Sequence, residues 1–216
     1  MSDPTAPQAL LDEAVRLLDT PGRSLLGLCG PPAAGKSTLA LALVRGVDAR
    51  LGAGTAAWLP LDGFHLSEAQ LRRLGLTDRK GSAPSFDVHG YLALLRRVRD
   101  CPPHDIYVPD YDRTLHEPVA ARHVIGPDVR LVVTEGNYLG LDAPGWRETP
   151  ELLDRLWYVD APDALREQRL DSRHRGNGSS ADRARSRITG NDRPNGELVA
   201  GSRHRADRVV SGEQGC

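Results

Sequence analysis

Nine residues near the start of the chain, "GPPAAGKST" at 30–38, restrict what it can fold into more than anything else in it. They fit the pattern G-x-x-x-x-G-K-[ST], in which backbone N–H groups wrap a phosphate chain, the lysine reaches the β/γ-phosphates and the hydroxyl holds Mg²⁺. The set expected to touch a nucleoside triphosphate is Gly30, Pro31, Ala33, Ala34, Gly35, Lys36, Ser37 and Thr38, with Ser37 on the metal. Such a loop needs a buried strand before it and, after it, a helix whose N-terminal dipole supports the anion. "SLLGLC" (24–29) is a short continuous apolar run, as in a strand covered on both faces, and "STLALALVRGV" is apolar nearly all round.

The remaining pattern extends this unit into a sheet. Apolar residues at helical spacing predict a helix over 8–19 and another over 87–100, the second with Asp87 as N-cap. Strands are predicted at 55–61, 105–109, 130–135 and 155–160. Alternation of strand and helix implies an α/β fold with a mostly parallel central sheet and helices on both faces, ligands binding at the carboxyl ends of the strands. The 216 residues suit one domain, 1–216, with a small lid. The last residues, "SGEQGC", read as a frayed tail.

Charge and cysteine usage exclude several functions. Net charge is −1, so no global basic field draws the chain to nucleic acid or an anionic membrane. No signal peptide or membrane-length apolar run is evident, and a cytoplasmic protein is expected. Cys29, Cys101 and Cys216 are an odd number without a C-x-x-C pair, which argues against a disulfide framework and a zinc site; the seven histidines lack ligand spacing. Only Lys36 and Lys80 among 28 basic residues are lysine, which marks Lys80 as a second position where a compact charge is wanted. Basic charge is concentrated locally: residues 166–208 hold eleven arginines against six acids, and "RGNGSS" (175–180) has the composition of a lid tip, placing an arginine-rich lid around 166–190.

Two carboxylates stand where the sheet places chemistry. Asp62 ends "AAWLPLDGFH" and Glu135 ends "RLVVTEGNYL", each followed by glycine. Either residue could hold Mg²⁺ or its waters, or accept the proton of an attacking hydroxyl. The N-K-x-D element of guanine-binding switches is absent, leaving an ATPase motor, a protein kinase-like activity or a small-molecule kinase, and the modest length favours the last. An acceptor pocket is expected from Phe64, His65, Arg79, Lys80, Tyr111, Arg113, Asn137 and Tyr138, all just after strands or in loops. A rival reading is an ATP-responsive binding module with residual hydrolysis.

Taken together, "GPPAAGKST", "LPLDGFHLS", "DRKGSAPSFDVHGY", "VPDYDR", "EPV", "VVTEGNYLGLD", "YVDAP", "RLDSRH" and "RPNGELVAGSRHRADRVV" resemble the uridine kinase, phosphoribulokinase and bacterial pantothenate kinase superfamily. The likeness is greatest to its bacterial nucleoside/nucleotide kinase-like branch, some members of which are labelled fructose-transport kinases. The resemblance covers about residues 20–210 and implies a P-loop NTPase fold, ATP with Mg²⁺, and transfer of the γ-phosphate to a hydroxyl of a small metabolite. It implies a catalytic aspartate at Asp62, a strand-end acid near Mg²⁺ at Glu135, and lid arginines at Arg169 and Arg173 that close over the phosphates. Gly63, Phe64 and His65 follow the aspartate where uridine kinases usually have serine, closer to the pantothenate kinase form. Nucleoside, sugar and pantothenate-like acceptors stay open, as does a second copy of the chain as a partner.

Overall fold

The computed structural model describes residues 5–213. In chain order the elements are α1 (Gln8–Arg16), β1 (Ser24–Cys29), α2 (Lys36–Leu51), β2 (Ala56–Pro60), α3 (Glu68–Leu74), α4 (Val88–Arg99), β3 (Ile106–Asp112), β4 (Glu117–Ile125), β5 (Leu131–Glu135), β6 (Arg155–Asp160), α5 (Asp163–Gly176), α6 (Ala181–Arg187), α7 (Arg193–Ala200) and β7 (Arg208–Ser211). Five strands form one parallel sheet in the order β2-β5-β1-β6-β7.

Every residue of β1 and β5 is buried because both faces of the sheet are covered. Their side chains sort by alternation. Leu26, Leu28, Leu131, Val133, Trp157 and Val159 pack with Leu10 and Ala14 of α1 and Leu39, Leu43 and Val47 of α2. Leu25, Val132, Leu156 and Tyr158 face the other way, against Tyr91, Leu95 and Val98 of α4. Asp87 caps α4 as expected, accepting from the Gly90 amide at 2.9 Å. Since the chain goes from β1 to β2 on one side and later crosses from β5 to β6 on the other, the crevice at the carboxyl end of β1 lies where strand order reverses.

Two expectations about strands need correction. Residues 105–109 do not join the parallel sheet: β3 pairs antiparallel with β4 in a separate two-stranded ribbon, Ile106 opposite Ile125 and Asp112 opposite Glu117. The ribbon's core-side residues Ile106, Val108 and Ile125 are fully buried, while Tyr107 and Val124 on its other side are exposed. The expected frayed tail begins instead as sheet, because Ser211 ends β7 and pairs with Asp160; its last three residues, 214–216, lie outside the described residues. Among the described residues no helix is long and apolar enough to cross a membrane.

Candidate active site

Between β1 and α2 the backbone turns through three positive-φ residues, Gly30 (143°), Ala33 (61°) and Gly35 (98°). Successive turns of this kind aim N–H groups into a concavity that suits phosphate oxygens, and α2 adds its N-terminus. Ala33 is not a glycine, so its left-handed conformation is a strained choice that the surrounding structure enforces. Lys36, at the first turn of α2, is 7% exposed and folds back to donate to the Pro31 carbonyl at 2.9 Å. The residues present therefore fit a triphosphate: an amide-lined turn with a buried ammonium across it.

Both strand-end acids reach this turn, and their glycines explain how. A Cβ on Gly136 would stand 2.4 Å from the Leu61 side chain, and one on Gly63 would stand 2.3 Å from the Pro109 carbonyl oxygen. Without those side chains the Asp62 turn packs directly between the end of β5 and the ribbon. Glu135 is 5% exposed and hydrogen-bonds the Ser37 hydroxyl. This hydroxyl and carboxylate pair offers the hard oxygen donors that Mg²⁺ prefers. Burial, then repulsion from Asp62, pushes Glu135 up to about 7 against the attraction of Lys36. Burial likewise brings Lys36 down to about 8, opposed by Glu135 and Asp62.

Asp62 keeps 41% of its side chain exposed and pairs with Arg113 Nη2 at 3.5 Å. His65 Nδ1 lies 2.8 Å from the Asp62 carbonyl oxygen, which can only accept, so this nitrogen carries the proton. Burial lowers the His65 pKa, and the neutral ring packs on Phe86 and Tyr111. Phe64 turns inward, edge-on to Tyr91.

Other expected pocket residues are placed differently. Tyr111 lies within β3 rather than after it. Tyr138 is fully buried: its hydroxyl donates to the Gly81 carbonyl at 2.7 Å and bonds the Asn137 side chain, making it a wall and not an open contact surface. Lys80 is taken up by Glu68 Oε2 (3.4 Å) and the His116 carbonyl (2.8 Å), with its ammonium 5.4 Å from the Tyr111 ring centre. Arg79 is exposed nearby.

The arginines of α5 divide. Arg169 Nη1 donates to the Ala33 carbonyl (3.2 Å) and the Gly212 carbonyl (3.1 Å), bracing the phosphate loop against the segment after β7. That segment is close: a Cβ on Gly212 would stand 1.7 Å from the Ala34 carbonyl oxygen. One turn later Arg173, exposed as a residue, has its guanidinium crowded by protein; this desolvation and the neighbouring Arg113 lower its pKa, against Asp62, Asp192 and Glu135. Lys36, Asp62, Arg113, Glu135 and Arg173 thus share one field.

Over 200 residues, 91% of this chain and 81% of its own length, the Escherichia coli K12 protein YggC is 34% identical. A Schizosaccharomyces pombe protein designated a candidate uridine kinase is 31% identical over 169 residues, 76% of this chain and 72% of its own. The crystal structure of a protein from Silicibacter sp. TM1040, described as a candidate fructose transport system kinase, superposes with a TM-score of 0.85 at 35% identity, covering 94% of this chain and 97% of that one. The chain belongs to the uridine kinase, phosphoribulokinase and pantothenate kinase superfamily. Within it, the bacterial nucleoside/nucleotide kinase-like branch is the one that fits. It is a P-loop small-molecule kinase, using ATP with Mg²⁺ to phosphorylate an alcohol. No family model matches the chain. Saccharomyces cerevisiae YFH7, at 19% identity and a TM-score of 0.82, shares the P-loop fold with this kinase.

The sequence reading of this kinase overlooked the roles of Asn191 and Asp192, just before "RPNGELV", and of Asn195 within it. The spacing of Asn191 and Asn195 was the available signal, since four residues apart on a helix share a face.

Proposed function

We propose that this kinase carries out transfer with Asp62 as the base for the acceptor hydroxyl, within a single domain, 1–216, whose lid spans about 166–190. The observation that carries the reading is the division between the two acids. Asp62 is half exposed and faces Arg113, whereas Glu135 is buried against Ser37 and Lys36. An exposed carboxylate can meet an incoming hydroxyl and take its proton as the oxygen attacks; a buried one beside the Ser37 hydroxyl suits the metal and its waters. Bound ATP·Mg²⁺ supplies the transferable phosphoryl group. Lys36 and the backbone N–H groups of residues 33–38 would hold the triphosphate, and Ser37 and Glu135 would hold Mg²⁺. Arg173 and Arg169 act from the lid, Arg173 on developing phosphoryl charge and Arg169 by holding the loop in shape.

The acceptor enters beside Phe64, His65 and Tyr111, lined by Asn137 and Tyr138 and bordered by Arg79, Lys80 and Arg113. Arg113 has Asp62 as its acidic partner, and Arg79 stands exposed nearby. A carboxylate or phosphate on the acceptor would relieve Asp62 of that pairing, so hydroxy acids, pantothenate-like acids and sugar phosphates are favoured over neutral nucleosides and sugars. The test is steady-state ADP release across paired neutral and anionic hydroxyl compounds. Faster turnover of an anionic acceptor, with a raised KM in Arg113→Ala, is expected. Equal slow hydrolysis with every compound, unchanged in Asp62→Asn, would instead identify an ATP-responsive binding module.

A further inference from the structure

Between α6 and α7 the helix widens into a π turn, Ile188–Asp192, a local irregularity that is often found at functional positions. Its last two residues hold different parts of the molecule. Asn191, 6% exposed, donates from Nδ2 to the Lys80 carbonyl at 3.1 Å. Asn195, 3% exposed, donates to the Gly81 carbonyl at 3.4 Å, the same oxygen that receives the Tyr138 hydroxyl. Asp192 Oδ2 accepts from His174 Nε2 at 2.8 Å, and both side chains are 13% exposed. His174 directly follows Arg173 on α5.

Direct contacts continue beyond Lys80. Its ammonium donates to the His116 carbonyl at the tip of the β3–β4 ribbon, and Arg113 in that same tip pairs with Asp62. The side chains of Asn191 and Asp192, with Asn195 one turn further on, therefore link α5 to the loop at 79–85 and, through it, to the acceptor side. The link is not a saturated lock. Asn191 Oδ1 and Ser82 Oγ are buried without a protein partner, so this junction has hydrogen-bonding capacity to gain by shifting.

We propose that Asn191 and Asp192 are positioning residues that make placement of the acceptor loop depend on closure of α5 over ATP. When α5 moves to bring Arg173 to the phosphates, Asp192 follows His174, and Asn191 carries the Lys80–Gly81 backbone with it. The proposal rests on α5 being part of the lid, and its test separates the two. Hydrogen exchange is measured with and without the non-hydrolysable analogue AMP-PNP and Mg²⁺. Reporters are the amides of Gly81, Ser82 and Ser85, bonded to Ser85 Oγ, the Arg79 carbonyl and the Ser82 carbonyl.

In the native protein AMP-PNP·Mg²⁺ should slow exchange in α5 and, on the order of tenfold, in 79–85, within the range that coupled sites span. Asn191→Ala and His174→Leu should each lose the slowing in 79–85, while α5 stays protected and AMP-PNP affinity stays within about threefold. His174→Leu removes the donor to Asp192 without touching the loop, so it keeps the test open if Asn191→Ala folds poorly. Protection of α5 without protection of 79–85 in the native protein overturns the coupling alone. Protection of neither overturns the lid as well, and unchanged protection of 79–85 in both variants overturns the role of Asn191 and Asp192.

Discussion

Two carboxylates that the sequence presents in identical dress, each an acid and then a glycine after an apolar strand, meet different surroundings in the structure. Asp62 remains accessible, so Asp62→Asn should lower kcat by about 10²–10⁴ while leaving ATP·Mg²⁺ affinity within a few-fold, read by ADP release and calorimetry. For Glu135 the folded protein holds the proton more tightly than the unfolded chain, up to about 7 against an ordinary 4.5. The metal-free protein therefore loses stability as pH rises from the lower value through the upper one, and below the lower value the residue contributes no penalty. Glu135→Gln in EDTA should raise Tm by a few degrees near about pH 7.5 and leave it unchanged near about pH 4, by scanning calorimetry. The strand-end positions of both acids were legible from the sequence, because a buried strand must stop where a charge appears. Their separate environments were not, because these depend on which backbone crosses Gly63 and Gly136. Tyr138 shows the same limit. Its aromatic ring beside Asn137 reads as pocket lining, but Leu139 and Leu141 on the same turn draw it into the core.

At the scale of elements, the strands that can be found in the sequence are the ones buried on both faces. β4 goes unrecognised because its ribbon is half exposed and its residues, "EPVAARHVI", show no clean alternation; Ala121, with φ at 57°, interrupts the pleat. Ala121→Gly should therefore raise stability by about 1 kcal/mol in urea unfolding, since only glycine takes that conformation without a steric cost. β7 is too short to announce itself, four residues at the edge of the sheet. The helices and strands are also joined by a residue with no part in the chemistry. Arg23, 8% exposed, donates to the carbonyls of Val129, Val98, Gly126 and Pro127, tying the end of α4 and the turn before β5 to the amino end of β1. Replacing it with methionine removes all four donated bonds, leaving Val98 and Gly126 only the backbone donors Cys101 and Val129. Arg23→Met should cost about 3 kcal/mol in urea unfolding with kcat/KM unchanged, because the site is at the opposite end of the strands.

For the molecule as a whole, nucleotide is a stabilising ligand as well as a reactant. At a hundred times its Kd, AMP-PNP·Mg²⁺ should add about 2.7 kcal/mol to the unfolding free energy. Lys36→Ala should lose most of that increment in thermal melts, and a full increment in this variant would remove the lysine from the phosphate grip. The parallel α/β architecture was readable because its βα units are local in sequence, whereas the β6–β7 pairing joins residues that the chain separates widely, Trp157 opposite Arg208. That separation has a consequence in time. The backbone of Ala34 and Gly35 is seated against Gly212 and held there through Arg169, so a turn specified early in translation acquires its final walls from residues made far later. Since chains emerge N-terminus first, a nascent chain stalled before residue 208 carries the whole signature motif yet lacks a rigid site. The ribosome thus releases this kinase with its oldest functional residues among the last to become competent.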